Sequence, residues 1–99
     1  MVRRLKVAEL DEIEDGDGKC VDVDIDRVAI FNVGGKYHAL SDTCPHAGGP
    51  LSEGWVDDYE VTCPWHGWTF PLESNDGNDG ITRYRLSIEE DGIYIHLTA

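Results

Sequence analysis

Apolar and polar residues alternate with a period of two through most of the chain. The alternation is clearest in VDVDID from Val21, RYRLSI from Arg83 and IYIHL from Ile93. This period is typical of β-strands that bury one face, and no long helical pattern competes with it. The N-terminal segment MVRRLKVAEL fits a first strand. The pattern therefore predicts an all-β fold of antiparallel sheets.

Turn residues divide the predicted strands. Gly34-Gly35 separates VAIFNV from KYHAL, and Asp91-Gly92 separates YRLSIEE from IYIHL, so we predict a hairpin at each place. The segment VDVDIDRVAIF is ambiguous, because it fits either one long strand or two short strands that turn near residues 24–27.

The alternation stops in two intervals, at about residues 41–54 and 63–80, where Gly, Pro, Asp and Asn accumulate. We predict two long loops that project from the sheets, since loops of this length usually carry function. A chain of 99 residues is the size of one small domain, so residues 1–99 are taken as a single domain.

The net charge of the chain limits the classes of macromolecule that can bind it. The chain has 8 Lys and Arg against 20 Asp and Glu, a formal net charge of -12. Such a surface repels nucleic acid and anionic membranes, and no apolar run is long enough to span a bilayer. MVRRLKVAEL is followed by DEIEDGDG instead of the apolar region of an export signal, so a cytoplasmic protein is expected.

The acidic residues are unevenly placed, because no Lys or Arg occurs from residue 37 to residue 82. We expect the carboxylates of this interval to form a solvated acidic surface that favours a basic protein partner. They are Asp42, Glu53, Asp57, Asp58, Glu60, Glu73, Asp76 and Asp79.

Three cysteines, Cys20, Cys44 and Cys63, are an odd number. This argues against a closed disulfide framework and favours metal or redox use of some of them. Cys20 stands alone beside VDVD, where a small buried apolar side chain is expected.

The other two cysteines lie in segments that each contain a nearby histidine. TCPHAGGPLSEG carries Cys44 and His46, and VTCPWHGWTF carries Cys63 and His66, which gives C-x-H, 16 residues, then C-x-x-H. A tetrahedral zinc site is chemically possible, but zinc sites usually group like ligands along the chain. One thiolate and one imidazole in each loop suit a binuclear centre, with both cysteines on one iron and both histidines on the other. His38 and His96, in strand-like patterns, are expected to be packing or surface residues.

The two segments, together with YHALSDTCPH and GGPLSEG, resemble Rieske-type [2Fe-2S] proteins over about residues 21–97. The resemblance is to soluble Rieske ferredoxins and to the small subunit of NAD(P)H nitrite reductase. It implies a Rieske-type domain whose cluster-binding subdomain consists of the two loops. It also implies one [2Fe-2S] cluster, with Cys44 and Cys63 on the inner iron and His46 and His66 on the outer, more exposed one.

Glycines accompany the predicted ligands. Because backbone N–H groups approach a sulfide closely only where side chains are absent, Gly48, Gly49 and Gly67 are suited to line the cluster. For each of them alone, an ordinary turn glycine is an equal alternative.

The same resemblance bears on the reduction potential. High-potential respiratory Rieske proteins carry two further cysteines, joined in a disulfide, where this chain has Gly49 and Trp65. They carry Ser and Tyr hydroxyls where this chain has Trp68 and Phe70. The rings of Trp65, Trp68 and Phe70 are expected to shield part of the cluster from water and to pin the loops. Fewer donors and many carboxylates disfavour the reduced state, so we predict a potential of about -150 mV and not about +300 mV.

No nicotinamide or flavin fingerprint and no second metal motif occurs in the sequence, so no catalytic role of its own is expected. The resemblance implies an electron carrier between a reductase and a terminal oxygenase or reductase, through His46 and His66. Two alternatives stay open: a small subunit of an NAD(P)H-dependent nitrite reductase-like complex, and a metal-binding interaction or sensor module.

Overall fold

The structure, a computed structural model, describes residues 2–23, 26–43, 49–57, 59–65, 67–73 and 81–98. Its strands are all paired antiparallel, which confirms the predicted all-β fold class. The elements are β1 (Val2–Ala8), β2 (Gly18–Val23), β3 (Asp26–Val33), β4 (Lys36–Ser41), the 3-10 helix η1 (Leu51–Glu53), β5 (Trp55–Asp57), β6 (Glu60–Thr62), β7 (Thr69–Pro71), β8 (Arg83–Glu89) and β9 (Gly92–Thr98). No helix among the described residues could cross a bilayer.

Six strands form a large sheet in the order β1-β9-β8-β4-β3-β2. Both predicted hairpins are confirmed, since β3 pairs with β4 around Gly34 and Gly35, and β8 pairs with β9. Gly34 and Gly35 have φ of +62° and +89°, in the left-handed region that glycine adopts at least cost.

The ambiguous segment VDVDIDRVAIF forms two strands. β2 and β3 are antiparallel, and Val23 is in register with Asp26 at the turn. β3 becomes an interior strand of the sheet as a result, and it is buried on both faces.

A small sheet, in the order β5-β6-β7, is inserted between β4 and β8. Its third strand lies inside the interval 63–80, so that interval is not the uninterrupted loop that the sequence pattern predicts. β7 has only three residues, too few for a visible alternation, and it is identified by its pairing with β6.

The core that supports the small sheet lies between it and one face of the large sheet. In β3, Ala29 and Phe31 face this cluster, whereas Val28 and Ile30 face a second cluster on the opposite side. The buried residues between the sheets are Ala29, Phe31, Leu40, Leu51, Val61, Cys63, Phe70, Leu72 and Ile81. Because each large apolar side chain buried there contributes about 1.5–3 kcal/mol, this cluster holds the small sheet firmly on the large one.

Candidate metal centre

Of the four predicted ligands, the structure describes Cys63. Cys44, His46 and His66 lie outside the described residues. Among the residues that are described, no group of three or more His, Cys, Asp or Glu side chains is placed to hold a metal ion. The described part of the candidate site is therefore Cys63 together with the residues that flank the other three.

Cys63 follows β6 directly and is fully buried between the sheets. Its backbone N–H donates to the carbonyl of Trp68 at 2.7 Å, and its own carbonyl accepts from the N–H of Gly67 at 3.0 Å. Gly67 has a φ of +74°, which glycine adopts without strain. These two bonds close the turn between β6 and β7 and fix the backbone at Cys63.

The two ends of the first loop lie side by side. Thr43 and Pro50 form an isolated antiparallel bridge, and the N–H of Leu51 donates to the carbonyl of Asp42 at 2.6 Å. Leu51 is fully buried in the core under the small sheet. The chain thus leaves the large sheet and returns to it at one point, with Cys44 and His46 in between.

The two loops meet at Gly49. A β-carbon placed on this glycine would lie 3.1 Å from the Sγ atom of Cys63 and 2.8 Å from Cγ of Trp65. Real β-carbons essentially never lie as close as this to a ring carbon, and the distance to the sulfur is shorter than in nine in ten real contacts, so the glycine backbone packs directly beside the indole and the thiol. A buried thiol faced by a glycine backbone fits a [2Fe-2S] cluster, whose thiolates and sulfides take hydrogen bonds from nearby N–H groups.

The aromatic residues of the second loop differ in exposure. Phe70 is buried in the core, whereas Trp65 and Trp68 are 59% and 48% exposed. Phe70 therefore anchors the small sheet, and the two tryptophans form part of the surface around the turn. Trp55 and Tyr59, which no motif in the sequence marks as functional, are also exposed on the small sheet and its first turn.

The prediction of an acidic surface is wrong for Asp42, which is only 1% exposed. Asp42 ends the β4 side of the first loop and accepts hydrogen bonds there. The alternating pattern of β4 ends before Asp42, so the sequence does not indicate that Asp42 is buried while other acidic residues are exposed. Glu53, Asp57, Glu60 and Glu73 are exposed as predicted, and Asp58, Asp76 and Asp79 lie outside the described residues.

Cys20 is half-buried on β2, and its surroundings are polar, unlike the apolar site expected from sequence. Its Sγ atom lies 3.5 Å from Oδ2 of Asp42 and 3.2 Å from Nη2 of Arg27. Burial raises the pKa of the Cys20 thiol, while the hydrogen bond from Arg27 lowers it and Asp42 raises it further. A raised pKa keeps the sulfur protonated at neutral pH, so Cys20 is poorly suited as a metal ligand.

His38 is a buried packing residue on β4, as expected. Its Nδ1 atom lies 3.5 Å from Oε1 of Glu73, and its buried Nε2 atom has no hydrogen-bond partner among the residues that the structure describes. The ring lines a cavity of about 300 Å³ together with Leu72, Arg83 and other residues. Burial lowers the pKa of His38, against the opposing effect of Glu73.

Comparison with known families gives a match to the Rieske [2Fe-2S] domain over residues 3–80. The chain is 30% identical over 102 residues to the 3-phenylpropionate/cinnamic acid dioxygenase ferredoxin subunit of Shigella boydii, a match that covers 97% of this chain and 95% of the relative. It is also 31% identical over 94 residues to human apoptosis-inducing factor 3. That match covers 90% of this chain but only 16% of the longer human protein.

Solved structures show the same fold. The ferredoxin of carbazole 1,9a-dioxygenase from Nocardioides aromaticivorans superposes with a TM-score of 0.83 at 25% identity, covering 93% of this chain and 95% of that one. A putative NADH-dependent nitrite reductase small subunit from Mycobacterium tuberculosis superposes with a TM-score of 0.89 at 23% identity, covering 100% and 98%. The second likeness concerns the fold alone.

Proposed function

Because the chain belongs to the Rieske [2Fe-2S] domain family, we propose that it is a one-electron carrier that takes electrons from a reductase and passes them to a terminal oxygenase or reductase. The similarity to a dioxygenase ferredoxin subunit over almost the full length of both chains supports this choice. In this proposal the chain has no catalytic reaction of its own and acts in the cytoplasm.

The proposed ligands are Cys44 and Cys63 for the inner iron and His46 and His66 for the outer iron of one [2Fe-2S] cluster. When bound, the cluster takes up and releases one electron at a time. The observation that carries the proposal is the position of Cys63, buried at the point where the second loop meets Gly49 of the first. A metal centre that takes ligands from both loops requires the loops to lie next to each other near those ligands.

Acidic residues around the small sheet are proposed to steer the carrier onto a basic partner. Glu53 is exposed in η1, near the end of the first loop, and Asp57 and Glu60 are exposed on β5 and β6. Exposed charges of one sign attract an oppositely charged protein over about a Debye length and raise the association rate. The absence of Lys and Arg from residue 37 to residue 82 leaves this attraction unopposed within the segment.

Iron binding tests the first part of the proposal. The purified protein should be coloured, contain two irons and two acid-labile sulfides per chain as a [2Fe-2S] cluster requires, and give a rhombic electron paramagnetic resonance signal after dithionite reduction. Cys63→Ser should abolish the cluster, whereas Cys20→Ser, the matched control, should keep it. A colourless protein that binds one zinc ion would refute the cluster and favour the zinc alternative.

A second candidate is the small subunit of a nitrite reductase-like complex, supported by the likeness of fold to such a subunit. The two candidates differ in their partners. Affinity capture of the holo protein from native lysate should recover a reductase and an oxygenase for the carrier, or a stable complex with a large haem-containing reductase for the subunit. If no reductase reduces the protein, a sensor or interaction module is the remaining class.

A further inference from the structure

Asp42 ties together the two ends of the first candidate cluster loop. Its backbone N–H donates to the carbonyl of Arg27 on β3 at 2.9 Å, and its carbonyl accepts from the N–H of Leu51 at 2.6 Å. Its side-chain Oδ1 atom accepts from the N–H of Ser52 at 2.7 Å. Asp42, at the start of the loop, thus accepts hydrogen bonds from the two consecutive amides of Leu51 and Ser52 at the end of the loop.

The bond to Ser52 answers a local need of the 3-10 helix Leu51–Glu53. The first N–H groups of a helix have no partner within it, and a side-chain oxygen usually accepts them. The residue before this helix is Pro50, which makes no capping hydrogen bond with its side chain. Asp42 supplies the missing acceptor from the opposite end of the loop, and a carboxylate acceptor makes the stronger, charge-assisted bond.

The second carboxylate oxygen of Asp42 faces two side chains of the large sheet. Oδ2 lies 3.5 Å from Sγ of Cys20 and 3.9 Å from Nη2 of Arg27. The side chain of Arg27 is 61% exposed, so solvent screens this ion pair and it contributes little to stability. The thiol of Cys20 is a weak donor at 3.5 Å, so among the described residues the 2.7 Å bond from Ser52 to Oδ1 is the strongest hydrogen bond that the side chain accepts.

We propose that Asp42 is a positioning residue for the first cluster loop. Its carboxylate holds the returning end of the loop against the large sheet, so that Gly49 keeps its place beside Cys63. The consequence for the metal rests on the function proposed above. The hydrogen bond itself does not, because exchange of the Ser52 amide reports on it directly.

Amide hydrogen exchange tests the hydrogen bond in the full chain as purified. In Asp42→Ala, protection of the Ser52 amide should fall about tenfold or more, the size expected when one hydrogen bond to a charged group is lost. The Leu51 amide is the internal control, because it donates to the backbone carbonyl at the same residue and should stay protected. Asp42→Asn keeps an oxygen acceptor and should restore the protection of Ser52.

Loss of the cluster to a chelator tests the consequence in the holo protein. Asp42→Ala should release iron about tenfold faster than wild type, and Asp42→Asn should release it at a rate closer to wild type. The matched control is Asp22→Asn. The Asp22 side chain is 84% exposed, and its Oδ1 atom lies 3.8 Å from Nε of the same Arg27, so the variant also removes a charge beside that residue. It should leave the rate unchanged.

Each result decides one part of the inference. Unchanged protection of Ser52 in Asp42→Ala would overturn the tie, and unchanged iron release with lost protection would overturn its role for the cluster. A chain that never binds iron would refute the proposed function while the exchange result still stands. If Asp42→Ala does not fold, Asp42→Ser is measured instead, because it keeps a polar group but is too short to replace Oδ1, and the same outcomes apply.

Discussion

Gly49 and Trp65 lie in contact across the two candidate cluster loops, and the contact leaves no room for a side chain at residue 49. A β-carbon there would lie 2.8 Å and 2.9 Å from Cγ and Cδ2 of the indole. By resemblance, these are the two positions at which high-potential Rieske proteins carry their extra cysteines. In this chain a glycine packed against a tryptophan joins the loops without a covalent bond.

The first prediction concerns this contact. Gly49→Ala should destabilise the holo protein by about 1 kcal/mol or more, because overpacking forces the indole and Cys63 to move. This corresponds to a fall in the thermal unfolding midpoint of about 4–8 °C for a domain of this size. Trp65→Ala in the same chain should recover much of the loss, and a double-mutant cycle measures the coupling. Equal losses with and without Trp65 would show that the indole is not the obstacle.

The second prediction concerns the reduction potential. We expect a midpoint near the lower end of the Rieske range, about -150 mV, in a redox titration followed by electron paramagnetic resonance. Trp68→Ser should raise it, because a hydroxyl at this position in the high-potential branch donates to a cluster sulfur. A wild-type potential well above zero would contradict the prediction.

The third prediction concerns the acidic surface. The rate of electron transfer with a basic partner should fall about tenfold or more between about 20 mM and about 500 mM salt. Glu53→Gln with Asp57→Asn should lower the rate at low salt. Asp11→Asn with Glu14→Gln, exposed residues outside the acidic interval, remove the same charge and serve as the control. Equal effects of the two pairs would mean that net charge acts without a defined docking face.

The fourth prediction concerns pH and His38. Its pKa is lowered in the folded protein, chiefly by burial, so the folded state favours the neutral ring. As pH falls below the unfolded value of about 6.5, the unfolded chain gains a proton that the folded chain lacks, and stability declines until the folded pKa is passed.

Thermal unfolding of wild type and His38→Gln at several pH values measures this effect. The advantage of wild type over the variant should shrink as pH decreases through that window. His96→Gln is the control, since His96 lies partly exposed and is hydrogen bonded to Ser87 at 2.8 Å. A difference between wild type and His38→Gln that does not change with pH would refute the assignment.

Local pattern was sufficient for β1, β4, β8 and β9 of the large sheet, but it did not decide whether β2 and β3 form one strand or two. The alternation in Arg83–Glu89 and Gly92–Thr98 and the turn glycines at residues 34 and 35 act over a few neighbouring residues, so they are legible in sequence. β7 was missed because it is short and owes its existence to pairing with β6. The spacing of Cys44, His46, Cys63 and His66 favours a binuclear centre, because each loop offers one thiolate and one imidazole, and this choice of ligands stays a prediction.

The sequence by itself determined the strand pattern, the candidate ligands and the family resemblance, because each depends on residue type and spacing along the chain. Only the tertiary structure decided which carboxylate is buried and which glycine faces the thiol. In the sequence nothing distinguishes Asp42 from the other acidic residues, and its role follows only from the hydrogen bond with Ser52 in the folded protein. Gly49 looks like an ordinary turn glycine until Cys63 and Trp65 are packed against it. Both roles arise from contacts between segments distant in the chain, which local periodicity does not encode.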